Sequence, residues 1–402
     1  MIASAFSRWS NHQACRWLYG ASLAMGILAI GTSSVHAGVP DTIQAHGFMS
    51  QALIVSRHND FFGPSSHGGG SLQYTEIGAN VSMRPTNNLL ISAQVLSRRA
   101  GDDNENYEPK LDYGLLDYQF NTDANRGTGI QLGRIKHPYG LYNQTRDVAF
   151  TRPGILLPQS IYFDRTRSPA LSSDGIIFYD EELMNSGTFY FHAGVGQVQT
   201  DSNVKETVIP QGLSGTVQGK NSYIGQVKYE HDAGRIVLAF TAAQANIEAK
   251  TNKEGDSDFK FQPYIFSFQY NAEDWSLTSE YALRKQSMSD WESSPGYKTI
   301  GESWYIQYTR RFLENWQWLV RYDTQVNDRS DKNGNRYEQK TNNKGYSQFA
   351  HDWTGGLRWS VSSKFLISAE YHYIDGTGWL PKSSSNDDRY WDMLLFQTSW
   401  RF

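Results

Sequence analysis

The 402-residue chain carries 37 Lys and Arg against 41 Asp and Glu, a single cysteine and a mean hydropathy of −0.57. The slightly acidic balance gives no reason to expect a nucleic-acid partner, and the lack of any apolar run of about 18 residues excludes a helical membrane protein. An aromatic content of 14%, with 24 Tyr, 20 Phe and 12 Trp beside 35 Gly, is unusual for a soluble domain. It fits a transmembrane β-barrel, where alternate residues meet lipid, the rest line a wet lumen, and aromatics gather in two girdles.

Residues 1 to 37 read as a secretory signal peptide. Arg8 and Arg16 stand without an acid, Leu18 to Ile30 is a short apolar run, and small residues precede a cut after Ala37. The run is too short, and wrongly flanked, for a spanning helix. Cleavage would leave 365 of the 402 residues as one domain, 38 to 402, and would remove Cys15, so the mature chain needs no disulfide.

Sixteen alternating segments of the length a tilted membrane strand requires follow. They lie near 42 to 56, 73 to 84, 88 to 98, 110 to 120, 128 to 137, 174 to 181, 187 to 198, 221 to 230, 235 to 247, 258 to 271, 275 to 286, 301 to 312, 316 to 327, 351 to 361, 364 to 375 and 390 to 402. Links after even strands are short, such as Pro85 to Asn87, Ala272 to Asp274 and Leu313 to Asn315. Those after odd strands are long and polar. That sorting is expected of an all-β, antiparallel barrel with short periplasmic turns, long extracellular loops and both termini in the periplasm. Trp275, Leu277, Tyr281 and Leu283 share one face against Ser276, Thr278, Glu280 and Arg284, so a one-residue slip would carry charge into lipid. Arg310 falls on the apolar face, and the first and ninth strands split their apolar residues over both faces.

The third long link, 137 to 174, holds four of the twelve prolines, which oppose strand pairing. A link of this length is usually functional. Ile155, Leu156, Leu157, Ile161, Tyr162 and Phe163 offer it an apolar face to bury against the inner wall. Arg134 and Lys136, on one face of the fifth strand, together with Arg146, Arg152, Arg165 and Arg167 set six cations against Asp147, Asp164 and Asp174. If they converge in a narrow throat, anionic or polar solutes are favoured, arginine being suited to carboxylate and phosphate. Local pairing that braces the loop is the competing reading, and Glu76, Asp117, Glu230, Glu280, Asp323 and Glu370 are candidates for an oppositely charged wall.

The last segment, Tyr390 to Phe402, places Leu394, Phe396, Trp400 and Phe402 on one face and ends on the aromatic. It resembles the closing strand of Gram-negative outer-membrane barrels. In that family the terminal Phe is read by the assembly machinery, which singles out Phe396, Trp400 and Phe402. The long third loop, approached through Gly133 to Pro138, resembles the constriction loop of the 16-stranded trimeric porins, including the phosphate- and anion-selective branch. The resemblance implies a water-filled channel for passive diffusion of small hydrophilic solutes and a homotrimer. It also implies contact with outer-membrane lipid and lipopolysaccharide. No cofactor or metal is implied. A non-conducting receptor or adhesin barrel is the alternative, and an outer-membrane enzyme a weaker one: the ten histidines form no recognisable Ser/His/acid motif. Asp331 to Asn335 fails as a calcium loop, since Arg329 and Lys340 would occupy its first and twelfth positions.

Overall fold

The computed structural model describes residues 43–59, 61–62, 69–101, 107–123, 125–210, 212–292, 295–380 and 388–402. The expected signal peptide, 1 to 37, lies outside the described residues. The strands of the described residues form one closed antiparallel sheet. Its strands are β1 (Gln44–Arg57), β2 (Ser71–Thr86), β3 (Leu89–Ala100), β4 (Lys110–Asp123), β5 (Arg126–Lys136), β6 (Ser172–Met184) and β7 (Gly187–Val198). Strand β8 comprises Gly215–Gly219 and Asn221–His231, interrupted at Lys220, both pieces pairing with the same neighbour. Then come β9 (Ile236–Thr251), β10 (Gly255–Asn271), β11 (Trp275–Met288), β12 (Tyr297–Phe312), β13 (Trp316–Val326), β14 (Phe349–Ser360), β15 (Phe365–Asp375) and β16 (Tyr390–Arg401).

Closure is made by β1 and β16, from Phe48 opposite Arg401 to Arg57 opposite Asp392. Phe402 adds two backbone bonds to Gly47, at 3.0 and 3.2 Å. No edge of the sheet is therefore left to face lipid with unpaired backbone groups. The Phe402 ring lies directly over Gly47, and a Cβ there would force the ring to move.

Alternation decides the faces. On the outside, Phe266, Tyr281, Trp304, Ile306, Val320 and Tyr371 are exposed, while their inward neighbours Ser267, Glu280, Ser303, Tyr305, Arg321 and Glu370 are buried. Trp275 stacks on Tyr308 at 5.6 Å and Trp316 on Trp359 at 5.3 Å beside the short turns, as an interfacial girdle requires. Arg310 stands in that girdle between Trp275 and Trp318, two residues from its strand's end, where a long stem reaches the interface.

Two sequence irregularities have one cause. The inward apolar residues of β1, Ala52 and Ile54, pack with Ile155 and Leu156 of the third loop and with Trp379 and Trp391. Those of β9, Ala245, Ile247 and Ala249, cover Val204 and Val208 of a short helix, Ser202–Val208, between β7 and β8. Loops folded over the bore thus give parts of the inner wall an apolar partner. The fifth extracellular link differs from the expected long loop. Strands β9 and β10 continue pairing to Thr251 opposite Gly255, leaving a three-residue turn.

Candidate functional site: the loop across the bore

After Lys136 the chain leaves the wall, folds inward with three short turns of helix, Asn143–Thr145, Ala149–Thr151 and Ser168–Leu171, and returns at Ser172. Prolines leave this segment without ladder partners of its own, so its backbone groups are satisfied by local turns within the loop and by side chains of the barrel wall. The loop is tied to the wall on both sides.

On the β2–β4 side the contacts are ionic. Arg152 forks onto Glu76 with bonds of 2.7 and 3.1 Å, and Arg98 reaches the same carboxylate at 3.4 Å. Arg98 also pairs with Asp164, which Arg146 approaches at 3.4 Å. Arg167 pairs with Asp147, and Lys136 bridges Asp147 and Asp112, the latter at 2.7 Å. Arg98, Lys136, Arg146, Arg152 and Arg167 therefore meet Glu76, Asp112, Asp147 and Asp164, and every member is nearly inaccessible to solvent.

Burial by itself would push the loop carboxyls up. It raises Asp147, but Arg167 and Lys136 overcome it and hold that group well below the ordinary carboxylate range. Asp164 is likewise lowered, burial being outweighed by Arg98, Arg167 and Arg146. Arg146 pays for its desolvation and the neighbouring Arg167 with a pKa lowered to about 10.

On the opposite side, wall carboxylates cap loop backbone. Glu370 accepts from the N–H groups of Ile155 and Leu156 at 2.7 and 3.1 Å. Asp323 accepts from Ser160 N–H at 3.3 Å. Glu280 accepts from Leu141 N–H at 3.1 Å and from the Tyr162 and Tyr305 hydroxyls at 2.6 and 2.9 Å. Arg321 donates to Leu156 C=O at 3.1 Å, and Arg358 to Phe150 C=O at 3.0 Å. A Cβ on Gly154 would fall 1.9 Å from the Glu370 carboxylate, so only glycine lets the backbone approach that anchor.

Of the residues singled out in the sequence, the structure brings together Lys136, Arg146, Asp147, Arg152, Asp164 and Arg167. Arg134 does not join them. It faces outward with Ile130 and Leu132 and forms a 2.7 Å pair with Asp174, because alternation along β5 keeps its even residues on the lipid side until the strand ends. Lys136, the last residue of β5, turns inward instead. Arg165 points away to Glu206, at 2.8 Å, beside the helix Ser202–Val208. The arginines that do converge are neutralised in place, and Glu76, Glu280, Asp323 and Glu370 hold the loop rather than forming a free acidic wall. Arg98, Asp112, Arg321 and Arg358 were not singled out. Arg98 stands directly opposite Glu76, so cross-strand register would have paired them.

The inward charges that keep solvent contact lie nearer the periplasmic ends. Arg311, Arg358 and Arg401 occupy β12, β14 and β16, with Arg401 4.3 Å from the Phe150 ring centroid. Asp117, Glu181 and Glu230, with Lys228 2.7 Å from Glu230, occupy β4, β6 and β8.

No protein-family model and no curated protein matches the sequence. Solved structures do match in fold. The trimer form of OmpT, an outer-membrane protein of Vibrio cholerae, superposes with a TM-score of 0.57 at 11% identity, over 90% of this chain and 99% of that one. An anion-selective porin from Comamonas acidovorans gives 0.57 at 10% identity over the same shares, 90% and 99%. OmpF of Salmonella typhi, in complex with daunomycin, gives 0.56 at 13% identity over 90% and 97%. Across nearly the whole chain, then, this protein has the sixteen-stranded barrel fold of the outer-membrane porins.

Proposed function

We propose that the protein is an outer-membrane porin, a homotrimeric, non-enzymatic channel for passive diffusion of small hydrophilic solutes with a weak preference for anions. The observation that carries this reading is a closed barrel with a polar, ionisable inner face, crossed by one loop tied to both walls. A predominantly apolar exterior over a charged interior is what a water-filled passage through lipid requires. Lys136, Arg146, Asp147, Arg152, Asp164 and Arg167 act by fixing the width of the constriction. The anion preference is supported by Arg311, Arg358, Arg401 and Lys228 outnumbering Asp117, Glu181 and Glu230 among the accessible inward charges. The homotrimer is supported by an aliphatic outer patch at Leu53, Ile77, Val81, Val95 and Leu116, in contrast to the aromatic exterior of β10–β15. Phe396, Trp400 and Phe402 fit an assembly signal on the strand that closes the sheet.

Reversal potentials across planar bilayers in a KCl gradient test this directly. Chloride preference that falls in an R311Q/R358Q variant supports it, and cation preference overturns it. One observation favours a second reading, a non-conducting receptor barrel: wall residues level with the loop, such as Thr241, Ser267, Thr278, Ser303 and Gln307, are almost fully buried. Folded protein without conductance would select that reading.

A further inference from the structure

One cation inside the bore stands outside the ionic lattice that holds the loop. Arg284 alternates inward on β11 with Glu280 and Ala282 and is only 9% exposed. Its Nη2 donates to Val326 C=O at 3.0 Å, while its Nε is buried without an acceptor. Among the described residues it enters no ion pair. Glu280 and Asp323, four residues lower by register, are taken up by the backbone N–H groups of Leu141 and Ser160. A buried guanidinium without a counter-ion carries a large desolvation penalty, which a bound anion offsets. On the neighbouring strand β12, Ser303 faces inward one step below the residue opposite Arg284, and its hydroxyl is also buried without a partner.

On the other side, Arg284 stands opposite Pro263 of β10. Proline has no N–H to give to a ladder. The pairing of β9 with β10 accordingly lapses beside it, between Ala242–Tyr264 and Ala245–Phe261. At this gap lies a cavity of about 20 Å³, whose lining includes Tyr139, Gly194, Ile224, Ala243, Phe261 and Pro263. No Lys, Arg, Asp or Glu contributes to it. One water needs about 10 to 15 Å³, so the cavity takes one or two methyl-sized groups and no ring. Small side chains on β7 and β9 and the missing N–H on β10 are its local causes. Residues opposite one another on paired strands have Cβ atoms about 5 Å apart, so the cavity begins within a short alkyl chain of the guanidinium.

We propose that Arg284 and Ser303 form the head-group site for a short-chain carboxylate whose alkyl tail enters the cavity at Pro263. The carboxylate accepts from Arg284 Nε and the Ser303 hydroxyl, the two donors left without acceptors. The tail meets only uncharged side chains. This site rests on the channel reading above and names a solute class for it, monocarboxylates the size of propionate.

The test uses full-length, folded protein in detergent, with binding of propionate and of tail-less formate followed by ligand-observed NMR. Each tail carbon is expected to add about fourfold, so propionate should bind about 15-fold more tightly than formate. R284Q removes the charged donor and should weaken both ligands by about 10- to 100-fold. A243L keeps the guanidinium and fills the cavity: propionate should fall to the level of formate, and formate should change by less than twofold. K298Q, on the exposed outer face of β12, should bind both as wild type does. Equal binding of the two ligands by wild type would overturn the site, as would propionate binding in R284Q within twofold of wild type. Undiminished preference for propionate in A243L would do the same, and that variant decides the matter if R284Q does not reach the heat-modifiable folded form. Conductance of the same preparations separates the two claims. A conducting barrel that binds no propionate refutes the site alone, and a barrel that binds propionate without conducting refutes the channel alone.

Discussion

Glu76→Gln isolates the ionic side of the loop's attachment. Glu76 is fully buried and accepts from Arg152 at 2.7 and 3.1 Å, from Arg98 at 3.4 Å and from Ser50 at 3.1 Å. Neutralising it leaves Arg98 with Asp164, but leaves Arg152 with neutral acceptors only, the nearer being Arg146 C=O at 3.3 Å. Removing one partner of a buried pair costs about 3 to 5 kcal/mol, and the retained amide oxygen puts this case near about 3. Since about 1.4 kcal/mol is a factor of ten, the attached state of this leg falls roughly 100-fold relative to the detached one. Glu280, Asp323 and Glu370 still hold the far side, so the loop should swing rather than leave. Single-channel recording should show brief excursions to higher conductance that wild type lacks, and calorimetry a lower Tm. Adding R152M removes the stranded charge and should restore part of the loss. Wild-type traces and Tm in E76Q, or a double variant worse than the sum of its parts, would refute the reasoning.

Glu370→Gln should loosen the other leg, because the two bonds to Ile155 and Leu156 N–H are each worth about 1.5 to 3 kcal/mol when the acceptor is charged. Proteolysis within 150 to 158 should accelerate at least tenfold, and unchanged protection would count against the anchor. The pH response follows from Asp147 and Asp164, whose folded pKa values are depressed. Their stabilisation is present above the unfolded carboxylate value, about 4, and is lost only as pH falls through the lower folded values. The ionic leg they brace should hold from pH 8 to 5 and loosen in stronger acid, so loop excursions traceable to that leg above pH 5 would contradict the assignment. Deleting Phe402 removes two closing backbone bonds and the ring over Gly47. The heat-modifiable folded fraction should fall several-fold, and a full yield would argue against its part in assembly.

Strand order, turn placement and most faces were legible in the sequence because period-two alternation is enforced by lipid on one side and water on the other. Tyr281 against Glu280 shows it: each residue has one tolerable face. The inward course of 137–171 was legible from its prolines and from Ile155 and Leu156. What escaped was pairing. Whether Arg167 meets Asp164 or Asp147, and whether Glu370 faces water or caps Ile155, depends on where an irregular backbone comes to rest, and no periodicity encodes that. Spacing sets Arg134 on one face with Lys136, but that face also carries Ile130 and Leu132, and these take Arg134 to the lipid side. The apolar inner residues of β1 and β9 break the alternation in sequence because their partners are loops folded over the bore, which no strand pattern encodes.

The central claim is that this barrel conducts through a bore narrowed by the loop across it. Incorporating purified protein into a planar bilayer in 1 M KCl tests that most directly. Discrete, stable conductance steps that grow when the loop is loosened by E76Q and E370Q together are the predicted result. Folded, heat-modifiable protein that gives no steps in either form would contradict it.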